Sequence, residues 1–221
     1  VVGGERIAPY MNWDDRNVSV LFGDGAAAVI LQATDDDSGV MLEKLGCYGE
    51  ARDILRIHGI GGAYVHQDRL TGVTEWQFEG QEIFKKAVNG MGDACEDVLR
   101  RAGVGPGDIE LVVPHQANLR IIESLAKHLH VDMAKVEVNI EHYGNTSAAT
   151  IPVALVEALE AGRVNSGDRI LVAAFGAGLT RAAGLIRWGE RTTPLGRSDA
   201  QLPPCDKTGL ELLSGAINEA N

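Results

Sequence analysis

Ile109-Glu110-Leu111-Val112-Val113-Pro114-His115-Gln116-Ala117-Asn118-Leu119-Arg120 carries the decisive reading of this chain. Ile109–Val113 is a short, nearly all-apolar run of the kind found in strands covered on both faces, as in a parallel sheet. Pro114 ends it, His115 falls at its carboxyl end, and Asn118–His130 reads as a helix. Thirty residues on, Gly144-Asn145-Thr146-Ser147-Ala148-Ala149 repeats the arrangement, with a polar side chain where a helix opens and runs to Ala161. Alone, His115 reads equally as a structural histidine, and Asn145 as an ordinary helix N-cap. Arriving together at the carboxyl side of a layered α/β fold, where ligand chemistry gathers, an imidazole and an amide can stabilise a developing oxyanion.

Outward from these segments the pattern alternates. Ile83, Phe84, Ala87, Val88, Met91, Cys95, Val98, Leu99 and Ala102 recur at helical spacing, and Gly103–Gly107 stops that helix. Val136–Ile140, Ile170–Ala174 and Thr180–Trp188 read as strands, the last two joined by the turn Phe175-Gly176-Ala177-Gly178. Upstream, Val18–Phe22 and Ala26–Leu31 read as neighbouring strands around the tight turn Gly23-Asp24-Gly25. Val1–Gly4 reads as the end of a buried strand, and Val40–Leu45 as another strand. Asp35-Asp36-Asp37 is a solvated loop and a boundary between structural halves rather than a metal site. Residues 46–79 give no clean period, and so long a stretch inside a domain reads as a lid or binding loop. After Trp188 the tail carries Pro194 and Pro203-Pro204 and a short helix over Thr208–Ala216.

The bulk composition narrows the classes. The chain has 221 residues, 45% of them hydrophobic, with 27 glycines, which suits a folded α/β protein and excludes a disordered one. A net charge of −11 argues against a general nucleic-acid binder, which needs a basic face. No apolar run approaches the ~20 residues that cross a bilayer. Cys47, Cys95 and Cys205 form no CxxC pair and leave an odd count, which points to a reducing cytoplasm. No Cys/His spacing fits zinc, and no glycine cluster matches a dinucleotide or P-loop fingerprint. Cys95 falls on a helix's apolar stripe and reads as core. Lys85, Lys86, Arg120 and Lys127 form a local basic rim if their helices flank one opening, a rim suited to an acidic carrier or a CoA phosphate.

Together, Phe22–Ala26, Phe78-Glu79-Gly80 with Phe84-Lys85, Val113–Ile121, His142–Ala149 and Ala174–Gly178 resemble, in order, the condensing enzymes of the thiolase fold, most closely the β-ketoacyl-ACP synthase III family. The resemblance covers nearly everything from Val1 to Trp188. It implies an α/β fold layered α-β-α-β-α when complete, with a mixed sheet and buried helices. Residues 1–38 would close an N-terminal half, 39–188 form the C-terminal half, and 189–221 an extension. The implied reaction is a decarboxylative Claisen condensation in fatty acid or related biosynthesis, joining an acyl group from acyl-CoA to malonyl-ACP. His115 and Asn145 would be two members of a Cys-His-Asn triad whose cysteine precedes Val1, so that this chain alone would be inactive. Ala177 would offer a backbone N–H to the oxyanion. Gly80, Phe84, Ala117, Asn118 and Phe175 would line the pantetheine tunnel, and Lys85, Arg120 and Lys127 would form the carrier-protein docking rim. The resemblance implies no cofactor and no metal, with acyl-CoA and malonyl-ACP as substrates, a cytoplasmic location, a homodimer when complete, and neither nucleic acid nor membrane as partner. The sequence departs at Pro9, where an arginine is common, and at Ala177, where a glycine is usual. A thiolase-fold acyltransferase, an enzyme condensing two acyl-CoAs, and a non-catalytic subunit that binds carrier protein share the same features.

Overall fold

The computed structural model describes residues 1–58, 65–66, 69–70 and 75–193, together with 196, 199, 206–208 and 211 of the tail. In chain order its strands and α-helices are β1 (Val2–Glu5), α1 (Arg16–Ser19), β2 (Gly25–Ala28), β3 (Gly39–Cys47), β4 (Leu55–His58), β5 (Val65–His66), β6 (Arg69–Leu70), β7 (Glu75–Phe78), α2 (Gly80–Ala102), β8 (Leu111–Pro114), α3 (Leu119–His128), α4 (Ile140–Tyr143), α5 (Thr150–Glu160), β9 (Arg169–Gly176) and β10 (Thr180–Arg187).

The central sheet has the order β3-β10-β9-β8. β8 runs parallel to β9, and the other pairs are antiparallel. Period-2 alternation divides its side chains between two cores. Val112, Leu171, Ala173 and Phe175 join the buried stripe of α2 and the inner face of α3. Leu111, Val113 and Ile170 pack with Ala154, Leu155 and Ala158 of α5 on the opposite face. That double cover is why the run 111–114 is apolar at every position and buried throughout. α2 ends as its glycine signal predicts: Gly103 takes a left-handed backbone at φ 67° and closes the last turn on the carbonyls of Leu99 and Arg100.

β1 and β2 form a separate two-stranded sheet, in which Val2 pairs with Ala28 and Glu5 with Gly25. This corrects the reading of Val18–Phe22 as a strand. Asp15 caps the N–H of Asn17 at 2.9 Å and starts α1 instead, so local side-chain capping overrides the β-forming character of the apolar run. β1 itself is present but not buried, since Val2 is 78% exposed and, beyond β2, Ile30 is 81% exposed. Val136–Ile140 is also not a strand. It makes a single parallel bridge, Val136 to Val112, and the reason lies in Gln116, below. Within 46–79 the described residues are more regular than their sequence suggests, because β4 and β7 pair antiparallel from Leu55–Phe78 to His58–Glu75. The expected tail helix at 208–216 lies largely outside the described residues. No helix among the described residues is long and apolar enough to cross a membrane.

Candidate active site

His115 stands immediately after β8, where its backbone N–H continues the ladder onto Ala173 O at 2.7 Å. Asn145 stands between α4 and a 3-10 turn, Ser147–Ala149, that leads into α5. Both side chains border one cavity of about 1030 Å³. The same cavity is lined by Gly80 and Phe84 at the start of α2, by Ala117 and Asn118 before α3, and by Phe175 and Ala177 at the β9–β10 turn. Eight of the residues singled out from sequence thus border one cavity. The basic residues of the expected rim do not line it: Lys85, Arg120 and Lys127 are exposed on α2 and α3, Lys85 is paired with Glu82 at 2.8 Å, and Lys86 lies over the Tyr48 ring. Asn118 has the structural role as well, since its side chain caps α3 through the N–H of Arg120 at 2.9 Å.

The two polar side chains are oriented by what their far ends touch. The amide oxygen of Asn145 accepts the Ser147 N–H at 2.9 Å. That bond fixes the amide's direction and leaves the Nδ2 hydrogens as its free donors. Nδ1 of His115 lies 2.6 Å from the Thr150 hydroxyl. Burial pushes the imidazole down to about 4, so the ring is neutral at pH 7.

Three features hold these segments together, and only their immediate surroundings were visible in the sequence. Gln116 is 1% exposed. Its amide donates to Pro114 O at 2.9 Å and to Glu137 O at 3.1 Å, while its oxygen accepts the Asn139 N–H at 3.1 Å. The Glu137 N–H still donates to Val112 O of β8 at 2.9 Å, but the 137 carbonyl and the 139 N–H are engaged by the Gln116 side chain, so the pairing stops at a single bridge and no strand forms. From Asn139 the network continues to Glu157, which also receives the Tyr143 hydroxyl. The second feature is the glycine turn at 23–25. Gly23 N donates to Asn145 O at 3.1 Å and Asn145 N to Leu21 O at 2.8 Å. A Cβ on Gly23 would lie 2.1 Å from Tyr143 O, so glycine is required for that approach. The third is Thr150, whose hydroxyl nothing in the sequence pattern singled out.

Neither described cysteine suits the cavity. Cys95 is buried among apolar side chains, which, with Glu96 beside it, pushes its thiol up to about 12 and keeps it protonated. Cys47 is exposed at the end of β3, on the side of Gly178, and does not line the cavity. Arg52 and Arg56 do line it, a basic contribution from the 46–79 segment that sequence spacing did not reveal. Among the described residues no group of three or more His, Cys, Asp or Glu is placed to hold a metal ion.

Two family models match the chain. One, described as 3-oxoacyl-[acyl-carrier-protein] synthase III, matches residues 1–49, and one for the C-terminal part of that family matches residues 99–188. A β-ketoacyl-[acyl-carrier-protein] synthase III 2 of Vibrio cholerae is 52% identical over 217 residues, 98% of this chain and 60% of the relative. A synthase III of Roseiflexus sp. is 49% identical over 181 residues, 81% of this chain and 55% of the relative. The crystal structure of 3-oxoacyl-[acyl-carrier-protein] synthase III from Aquifex aeolicus superposes with a TM-score of 0.77 at 41% identity, covering 85% of this chain and 57% of that one. The chain therefore spans about 60% or less of the length of these relatives, and the Vibrio match takes in most of the tail after Trp188.

Proposed function

We propose that this chain, matched by two models of the 3-oxoacyl-[acyl-carrier-protein] synthase III family over residues 1–49 and 99–188, belongs to that family and carries the decarboxylating part of a condensing-enzyme centre. A malonyl thioester on acyl carrier protein enters the cavity with its thioester oxygen against Nε2–H of His115 and Nδ2–H of Asn145. Cleavage of its terminal C–C bond releases CO2 and moves the electron pair through the α-carbon onto that oxygen. Two preorganised donors in a site shielded from water stabilise the enolate by about 3 kcal/mol each. The α-carbon then attacks the carbonyl of an acyl group held as a thioester. The tetrahedral oxyanion so formed is met by the backbone N–H of Ala177 and collapses by expelling the thiolate. The product is a 3-oxoacyl chain two carbons longer, on the carrier protein.

The observation that carries this reading is the orientation of Asn145, whose amide oxygen is held by Ser147 N–H on the border of the cavity that His115 also lines. Asn145 thereby presents a donor, and a neutral His115 presents a second when its ring proton sits on Nε2. The neutral His115 imidazole favours the same role, since a protonated ring would bind the malonyl carboxylate and retain it. The acyl-carrying thiol is a cysteine outside residues 1–221, an assignment supported by the burial of Cys95 and the position of Cys47. Gly80, Phe84, Ala117, Asn118 and Phe175 border the pantetheine arm. Lys85, Arg120 and Lys127 meet the acidic carrier outside the cavity, with Arg52 and Arg56 adding positive charge at its wall. The separate β1–β2 sheet supports a division at residue 38 between the end of an N-terminal half and a C-terminal half over 39–188, with 189–221 as an extension. The exposed apolar side chains of Val1, Val2, Ile30 and Leu31 favour coverage of that sheet in the assembled, dimeric enzyme.

The test uses the enzyme expressed from its whole gene. His115→Ala and Asn145→Ala are expected to lower CO2 release from malonyl-ACP by about a hundredfold each, while acyl transfer from acyl-CoA to the enzyme continues. Normal condensation by both variants refutes the assignment. Offering acyl-CoA in place of malonyl-ACP as second substrate separates this reading from that of an enzyme joining two acyl-CoAs.

A further inference from the structure

The hydroxyl of Thr150 has two acceptors within reach and one proton to give. It lies 2.6 Å from Nδ1 of His115 and 2.9 Å from the carbonyl oxygen of Ser147. The two possibilities produce opposite imidazoles. If the hydroxyl donates to Ser147, it accepts from Nδ1–H, and the neutral ring carries a bare lone pair at Nε2. If it donates to Nδ1, the ring proton resides on Nε2. The first ring can only accept a hydrogen bond from a ligand in the cavity, whereas the second donates one.

We propose that Thr150 is a positioning residue that holds His115 in its Nε2–H form by donating its hydroxyl proton to Nδ1. This rests on the reading of His115 as a donor to the enolate oxygen. Three observations select the direction. The Ser147 carbonyl already receives the backbone N–H of Thr150, so it is satisfied without the hydroxyl. Nδ1 has no other partner among the described residues. Of the two contacts, the one to Nδ1 is the shorter by 0.3 Å, the difference between 2.9 and 2.6 Å.

Burial makes the hydroxyl hard to replace. Thr150 is 2% exposed and His115 8%, so bulk water does not reach Nδ1 from the Thr150 side. The backbone is fixed as well, because Thr150 begins α5 directly after the turn Ser147–Ala149. That turn also carries the Ser147 N–H that orients Asn145. One short stretch, 147–150, thus sets the direction of both donors: through a backbone N–H for the amide and through a side-chain hydroxyl for the imidazole.

The proposal is tested by nitrogen NMR of the whole enzyme labelled with 15N-histidine at pH 7, in wild type, Thr150→Ser and Thr150→Val. Wild type and Thr150→Ser are expected to show His115 with a pyrrole-type Nε2 and a pyridine-type Nδ1. Thr150→Val, which keeps the shape and loses the hydroxyl, is expected to show a mixture of tautomers. It should also lower kcat for malonyl-ACP decarboxylation by about tenfold or more, with KM changed less than about twofold, because a wrong imidazole tautomer removes the donor while leaving the binding surface intact. A wild-type spectrum with the proton on Nδ1 overturns the proposal. So does a folded Thr150→Val enzyme that keeps both the wild-type spectrum and the wild-type rate. If Thr150→Val does not fold, the wild-type and Thr150→Ser spectra decide alone. Normal decarboxylation by His115→Ala would instead sink the donor reading, an outcome the tautomer measurement registers separately.

Discussion

Replacing Gln116 by leucine should damage this protein more than its place beside His115 suggests. Leucine fits the volume, and the site is 1% exposed, so the substitution leaves no large cavity and even adds apolar burial. What it removes is three hydrogen bonds to backbone: two donated, to Pro114 O and Glu137 O, and one accepted, from Asn139 N–H. Glu137 and Asn139 are themselves buried, and neither the 137 carbonyl nor the 139 N–H has another partner among the described residues. Each buried, unsatisfied backbone group costs about 1–3 kcal/mol, so the pair costs roughly 4 kcal/mol. Leucine returns about 1 kcal/mol of transfer free energy, leaving a net loss near 3 kcal/mol. Urea unfolding of the whole enzyme, wild type against Gln116→Leu, reads this as a lowered midpoint with the slope unchanged. A loss below about 1 kcal/mol would mean that the 137–139 segment finds other partners at little cost and that Gln116 does not hold it.

Two further outcomes follow from the same geometry. Gly23→Ala places a methyl 2.1 Å from a backbone carbonyl, Tyr143 O, which no rotamer relieves. It should part residues 21–23 from Asn145 and lower decarboxylation about tenfold or more, whereas Gly107→Ala, with nothing within 4 Å, should change neither activity nor stability beyond about 0.5 kcal/mol; equal effects of the two would contradict this. The third concerns acid. The folded-state pKa of His115, pushed down by burial to about 4, lies below its unfolded value of about 6.5. Between those values the unfolded chain binds the proton and the folded chain does not, so stability falls as pH drops through this window and is fully present above it, by at most about 3 kcal/mol. His115→Gln should flatten that part of the acid slope in urea unfolding at pH 7 and pH 4.5, and an unchanged slope would count against it.

The parts of the fold that read correctly from sequence are those specified locally. β8 shows as an unbroken apolar run because both its faces are covered, and α2 as a stripe at helical spacing ended by Gly103. β9 and β10 are consecutive and joined by a tight turn, so their pairing is local too. The failures are long-range. Residues 136–140 have the composition of a strand, yet a side chain more than twenty residues upstream takes the 137 carbonyl and the 139 N–H and ends the pairing after one bridge. Val18–Phe22 has strand-like residues, but Asp15 turns it into α1. Gly23 reads as a turn glycine, and its stricter requirement comes from a carbonyl 120 residues away. The same division runs through the site. His115 and Asn145 stand in motifs short enough to quote, whereas Thr150, Arg52 and Arg56 acquire their positions only when the helix start and the 46–79 segment fold against the cavity.

The most direct measurement is a crystal structure of the whole enzyme with a non-cleavable malonyl-pantetheine thioester analogue. The thioester oxygen is expected 2.7–3.1 Å from both Nε2 of His115 and Nδ2 of Asn145, with the malonyl carboxylate pointing away from them. A carboxylate seated on that pair, or a thioester oxygen out of reach of both, would contradict the assignment of the two as donors.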